Sequence, residues 1–275
     1  MSNFDFSAAE NLIHTKIKEM GLSSLALAIA QNDHMLWETG FGWANRANQQ
    51  QANEHTVYSL ASISKPITAT GLMILVERGL IDLDRPINDY LGHAKLTAHL
   101  GDVANATVRR VANHSSGLPL HCHFFYEDEG VARPHMDKTI RRYGHLMMPP
   151  GETYQYANSG FGLLEYLIER ISGQSYADFL RQEVFIPLNL PRTSVDLPQD
   201  LAPYAATRYA PNGEPIPWYT FDHPGASAVW ASAHDLVRFG LFHLKMHLPD
   251  QKAILTDASI DEMQKPTVRS SEQSG

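Results

Sequence analysis

Two short stretches carry the residue types that acyl-transfer chemistry needs. The first is Ser62-Ile63-Ser64-Lys65. Residues three apart on a helix share a face, so this spacing sets the Lys65 nitrogen beside the Ser62 hydroxyl. A serine hydroxyl becomes a nucleophile when a neighbouring base takes its proton. A free lysine has a pKa of roughly 10.4, so Lys65 can be that base only where burial or a nearby cation lowers the value. The second stretch is Tyr156-Ala157-Asn158. A tyrosine hydroxyl can relay a proton to a leaving group, and an asparagine amide can bind a substrate carbonyl and a lysine together. Each stretch also has a plainer reading. Ser62 can be a helix cap followed by a solvated lysine, Tyr156 can pack on its ring, and Asn158 can cap a helix running from Phe161.

Three weaker groups stand beside these. His121-Cys122-His123 with Glu127, Asp128 and Glu129 has metal-ligand types. In an extended chain the alternate side chains of that tripeptide point to opposite faces, so a polar loop lining a site is preferred and no metal is assigned. Trp218, Tyr219 and Phe221 either line an acyl pocket or belong to the core. Asn113-His114-Ser115 has the form of a glycosylation sequon. Cys122 is the single cysteine, which excludes an internal disulfide and a cysteine-built zinc site. No cofactor is expected.

The elements that must position these residues follow from local patterns. Ser7-Ala8-Ala9-Glu10 reads as a capping box for a helix with Leu12, Ile13, Ile17 and Met20 on one face and a stop at Gly21. Leu25 to Ala30 and Met35 to Phe41 read as strands of a hairpin turning at Asn32-Asp33. Pro66 fits only the first turn of a helix, so one must begin near Ser62 and run through Arg78 to Gly79. Further helices are expected at Phe161 to Ile171, Tyr176 to Val184, and Ser232 toward Lys245. The long loops Leu118 to Asp137 and Leu197 to Gly225 are expected to wall a site.

The chain has 275 residues, 43% hydrophobic and 19% charged, with a net charge of −8. An ordinary folded core is expected, and the charge balance gives no reason to expect nucleic acid or an anionic membrane as partner. Met1 to Glu10 has no apolar signal region, and no stretch nears the roughly eighteen apolar residues of a span. The expectation is a cytoplasmic protein.

The order of the motifs extends the argument. Tyr58-Ser59-Leu60-Ala61-Ser62-Ile63-Ser64-Lys65 resembles the nucleophile segment of class C β-lactamases and their relatives. Leu80 to Ile87, Asn113-His114-Ser115-Ser116-Gly117-Leu118-Pro119, Pro150-Gly151-Glu152, Tyr156 to Gly160, Phe185 to Leu190 and Ala231 to Phe239 follow in the same family's order. The chain therefore resembles the serine β-lactamase, DD-peptidase and carboxylesterase superfamily from about Leu25 to Pro266. That resemblance implies an α/β (α+β) fold, a sheet packed on helices beside a mainly helical lobe. A single domain over 1–275 is expected, with 1–58 starting the sheet lobe and 59–275 forming the helical one. It also implies acyl transfer on Ser62 with Lys65 and Tyr156 sharing the proton work and Asn158 binding substrate.

The family's third motif, a Lys-Thr-Gly, Lys-Ser-Gly or His-x-Gly strand, is not matched. Lys138-Thr139-Ile140 lacks the glycine, and Pro224 in His223-Pro224-Gly225 cannot donate to a strand ladder. The chain ends soon after Lys265-Pro266-Thr267, where that strand region is expected to begin, so impaired activity is anticipated. So is completion by another chain or a homo-oligomer. The functional expectation is a serine hydrolase acting on a small ester, amide or β-lactam. Its competitor is a non-catalytic scaffold with a binding or regulatory role.

Overall fold

The computed structural model describes residues 4–269. The chain opens with α1 (Ser7–Met20), β1 (Ser24–Gln31), β2 (His34–Asn45), β3 (Gln50–Gln51) and β4 (Val57–Ser59). A 3-10 turn, Ala61–Ile63, leads into α2 (Ser64–Glu77). Next come β5 (Thr97–Ala98), α3 (Val108–Ala112), β6 (Phe124–Tyr126), α4 (Met136–Tyr143) and β7 (His145–Leu146). Then follow α5 (Asn158–Ser172), α6 (Tyr176–Leu180), β8 (Ser194–Val195) and β9 (Tyr219–Phe221). The last elements are α7 (Pro224–Ser227), β10 (Val229–Ser232), α8 (Ala233–His243) and α9 (Asp257–Gln264). They divide into two compact units.

The first unit gathers the described residues of Met1–Ser59 with Phe185–Pro217 and Trp230–Ala253. β1 and β2 form the expected hairpin, paired antiparallel from Ser24↔Gly42 to Gln31↔His34. α8 packs on β1. Ser232 caps α8 by accepting from the Asp235 amide. The buried Asp235 carboxylate accepts from the Arg192 amide at 2.6 Å and the Thr193 hydroxyl at 2.8 Å, which ties the start of α8 to the chain before β8.

α1 departs from expectation at its start. Ser7 and Glu10 do not cap one another. Asp5 takes the Ser7 amide at 3.0 Å and the Ser7 hydroxyl at 2.6 Å, so an upstream carboxylate satisfies the helix start instead. No residue of α1 is buried, and Leu12 and Met20 are 59% and 66% exposed. Rings do the docking on β2: Phe6 stacks on Trp37 at 4.6 Å and His14 meets Phe41 edge-on at 5.1 Å. The stop at Gly21 is as read, in the left-handed conformation with φ 64.

The second unit comprises the described residues of Leu60–Val184, Trp218–Val229 and Ile254–Gly275. α5 is its axis, buried from Asn158 to Ile168 and packed by α2, α3, α6 and α7. α2 buries Ile67, Leu72, Ile74 and Leu75. α7 lies against both α2 and α5. It can sit there because Gly225 has no side chain, since a Cβ would come within 2.4 Å of the Phe161 carbonyl oxygen. β6 and β9 pair antiparallel, with Phe124 opposite Phe221 and Tyr126 opposite Tyr219. The first long loop thus closes against the end of the second. Phe221 is core, at 7% exposure, while Trp218 and Tyr219 are half-buried.

Candidate active site

The sequence makes a sharp start for α2. Ala61 takes φ 47, a left-handed conformation that costs an L residue roughly 1–2 kcal/mol. The 3-10 turn that begins with it leaves Ser62 exposed at the mouth of the helix, and Pro66 occupies the first turn of α2. Ser64, the first residue of α2, is fully buried and accepts from the Val229 amide at 3.0 Å. Of the two serines in the motif, only Ser62 faces solvent.

Lys65 is 5% exposed. Its Nζ donates to Ser62 Oγ at 3.0 Å, to Asn158 Oδ1 at 2.9 Å and to the Ala226 carbonyl at 3.2 Å. It also lies 4.6 Å from the centre of the Tyr156 ring. Burial pushes its pKa below the ordinary lysine value, with Tyr156 and Cys122 opposing that shift. Tyr156 donates from its hydroxyl to Ser62 Oγ at 2.7 Å. One exposed oxygen therefore has two proton carriers in hydrogen-bond contact.

Asn158 opens α5 rather than capping it, and the cap position is Ala157. Its side chain is committed at both ends: Oδ1 takes Lys65, and Nδ2 donates to the His121 carbonyl at 3.1 Å. Its backbone amide donates to the Leu120 carbonyl at 2.9 Å. The four residues singled out in the sequence, Ser62, Lys65, Tyr156 and Asn158, are thus brought into one hydrogen-bonded group.

Two further features adjoin this group, in roles that the sequence did not assign to their residues. His114 has φ 62 and places its ring 4.5 Å from that of Tyr156 and 5.2 Å from that of Phe161. Its Nδ1 accepts from the Ala157 amide at 3.1 Å. Burial, helped by the charge of Lys65, lowers its pKa to about 4, so the ring is neutral at pH 7 and its proton sits on Nε2. It holds the Tyr156-Ala157 peptide and the Tyr156 ring in place. The only hint in the sequence was its position in the Asn113 to Pro119 loop. The second feature is Asp222 with His223, both 1% exposed by side chain, joined to His121.

The weaker candidates separate. His123 stacks on Phe125 at 4.5 Å, while His121 turns inward to Asp222. Cys122 is exposed, and partial burial together with Asp222 raises its thiol pKa. Glu127, Asp128 and Glu129 form an exposed 3-10 turn. Pro224 begins α7, and the Gly225 amide donates to Glu165 Oε2 at 2.9 Å. His223-Pro224-Gly225 is therefore a buried helix start and offers no strand edge to a substrate.

The Beta-lactamase family model matches residues 9–275. A penicillin-binding protein of Bacillus subtilis (strain 168) is 29% identical over 171 residues, which is 60% of this chain and 36% of that protein. The octameric penicillin-binding protein homologue from Pyrococcus abyssi shares the fold with a TM-score of 0.80 at 23% identity, over 95% of this chain and 60% of its own. A class C beta lactamase from Rhodobacter sphaeroides gives a TM-score of 0.77 at 24% identity, over 92% and 69%. The chain thus spans between about a third and three fifths of the length of the relatives first matched. Among the described residues no helix is long and apolar enough to cross a membrane. With its fold shared with β-lactamases and penicillin-binding proteins, and the family model matching residues 9–275, the chain belongs to the Beta-lactamase family.

Proposed function

We propose that the protein is a serine hydrolase that forms an acyl-enzyme on Ser62 with a small ester, amide or β-lactam. The observation that carries this reading is the exposed Ser62 Oγ within reach of both Lys65 Nζ and the Tyr156 hydroxyl. Ser62 Oγ attacks the carbonyl carbon, and its proton passes into the Lys65–Tyr156 pair. The Ser62 amide, at the positive end of α2, faces the negative charge that grows on the carbonyl oxygen. Collapse of the tetrahedral adduct breaks the bond to the leaving group, which takes a proton from the same pair. Water then attacks the acyl carbon by the reverse proton route and frees Ser62. Neutral Lys65 is the base in this scheme, which its burial favours.

A second reading, a binding scaffold without turnover, is favoured by one observation. The Gly225 amide is committed to Glu165, so the His223-Pro224-Gly225 segment supplies no second donor for the oxyanion. Reaction with a fluorophosphonate, followed by mass spectrometry of the labelled peptide, tests the hydrolase reading. Ser62 should carry the adduct and Ser62→Ala should abolish it. Label retained in that variant, or found on Ser64 or Ser116, would overturn the assignment.

A further inference from the structure

The Lys65 amine rests on two segments far apart in the chain. One is α7, whose Ala226 carbonyl accepts directly from Nζ at 3.2 Å. The other is the loop at His121, whose carbonyl holds Asn158 Nδ2 at 3.1 Å while Asn158 Oδ1 holds Nζ at 2.9 Å. Asp222 joins these segments. One carboxylate oxygen is 2.8 Å from His121 Nε2, and the other is 2.7 Å from Nδ1 of His223, the residue that leads into α7. The side chains of His121, Asp222 and His223 are 7%, 1% and 1% exposed.

We propose that Asp222 is a positioning residue for Lys65: it clips the His121 loop to the head of α7 and so fixes both supports of the amine. This rests on the reading of Ser62 as nucleophile and Lys65 as its base.

Three observations argue for the clip. His121 takes φ 44, a conformation that a residue with a Cβ holds only when its surroundings impose it. The peptide so turned is the one whose carbonyl meets Asn158, and the ring of the same residue is bonded to Asp222 and packed on Tyr143 at 4.3 Å. Second, a buried carboxylate persists as an anion only when its oxygens are hydrogen-bonded. Burial alone would raise the pKa of Asp222, yet the bonds from the two imidazoles outweigh it and keep the group well below the usual carboxylate range. The anion therefore enforces both contacts. Third, the body of α7 is set against α5 by the Gly225 amide on Glu165. His223, at the cap position two residues before that amide, ties the same N-terminal end of α7 to Asp222.

The three side chains are also metal-ligand types, with ligand atoms within 4.8 Å of one another. The histidine–carboxylate pairs already sit at hydrogen-bond distance, which the clip needs and a bound divalent ion would have to break.

The test is the rate at which excess fluorophosphonate acylates Ser62, measured across pH in the full chain for wild type, Asp222→Asn, Asn158→Ala and the double variant. Asp222→Asn should slow acylation by roughly 10- to 100-fold, the scale of a displaced catalytic group, without weakening the reagent's initial binding. Its rise with pH should move upward, because a loosened Lys65 gains water. The other titrating groups near Lys65, namely Tyr156, Cys122, His114 and His223, remain in this variant. Because one of the two routes from Asp222 to Lys65 runs through Asn158, the double variant should lose less than the product of the single losses. Circular dichroism checks the fold, and His121→Gln runs the same comparison should Asp222→Asn not fold. Wild-type rate and pH profile in either folded variant, or fully multiplicative losses, would overturn the proposal while leaving the hydrolase reading intact. So would one equivalent of Zn²⁺ bound by wild type in calorimetry and lost in Asp222→Asn. A wild-type chain that takes no label at all overturns the hydrolase reading itself, and the clip with it.

Discussion

Tyr156 donates its hydroxyl hydrogen to Ser62 Oγ at 2.7 Å, and Lys65 Nζ reaches the same oxygen at 3.0 Å. The ring of Tyr156 is held independently by His114. Removing the hydroxyl alone should therefore leave the ring in place and interrupt only the proton path. Tyr156→Phe is expected to cut hydrolysis of p-nitrophenyl acetate by about 10²–10⁴-fold, the usual worth of a positioned acid–base group. The melting temperature should change little. Turnover within a few-fold of wild type would show that Lys65 suffices.

Lys65 offers a sharper test, because its role depends on losing a proton. Its pKa is lowered by burial, so the neutral amine is present above that lowered value and disappears as pH falls through it. Acylation should rise with pH and level off below the range of an ordinary lysine. Lys65→Arg keeps a cation at the position but cannot deprotonate. It should be nearly inactive with no such rise. An arginine variant that retains both rate and pH profile would mean that the position supplies charge alone.

How much of this was legible in the sequence varies by the range of the interaction. Ser62 and Lys65 are neighbours because a helix makes them so, and Pro66 marks the first turn locally. Tyr156 and Asn158 were found as a pair whose order along the chain matched a family. The distances that join them to Lys65 belong to the packing of α5 on α2. His114 and Asp222 had no local pattern to betray them. One acts through a left-handed backbone and a ring contact, and the other through imidazoles on two segments. The α1 capping box failed for a smaller reason, since Asp5 stood two residues upstream with a better acceptor.

His114 gives the chain an acid-sensitive joint. Its pKa falls from 6.5 to about 4 on folding, because burial and Lys65 disfavour the cation. Above 6.5 the ring is neutral in both states and contributes nothing to pH dependence. Between 6.5 and 4 the unfolded chain binds a proton that the folded chain refuses, so stability falls with pH across that window. The penalty reaches roughly 2–3 kcal/mol at the acid end. His114→Asn should tolerate φ 62, keep an acceptor for the Ala157 amide, and remove this share of the pH dependence. Chemical denaturation at pH 7 and pH 4.5 measures it; an unchanged difference between the two pH values would assign the acid sensitivity elsewhere.

Ala61 precedes the nucleophile and holds φ 47, so the turn that presents Ser62 carries strain. Glycine adopts this conformation freely, and Ala61 is exposed, so Ala61→Gly gives up little packing. Against the relief stands the larger conformational freedom of glycine in the unfolded chain. The balance should favour the variant by about 0.5–1 kcal/mol, seen as a melting temperature higher by about 1–2 °C. The same freedom lets the turn leave its reactive arrangement, so acylation of Ser62 should slow by a few-fold even as the fold gains. Stability and acylation moving in opposite directions is the signature of strain held at the site. A variant that melts lower than wild type would show that the Ala61 methyl makes contacts worth more than the strain, and that the left-handed turn is a comfortable one.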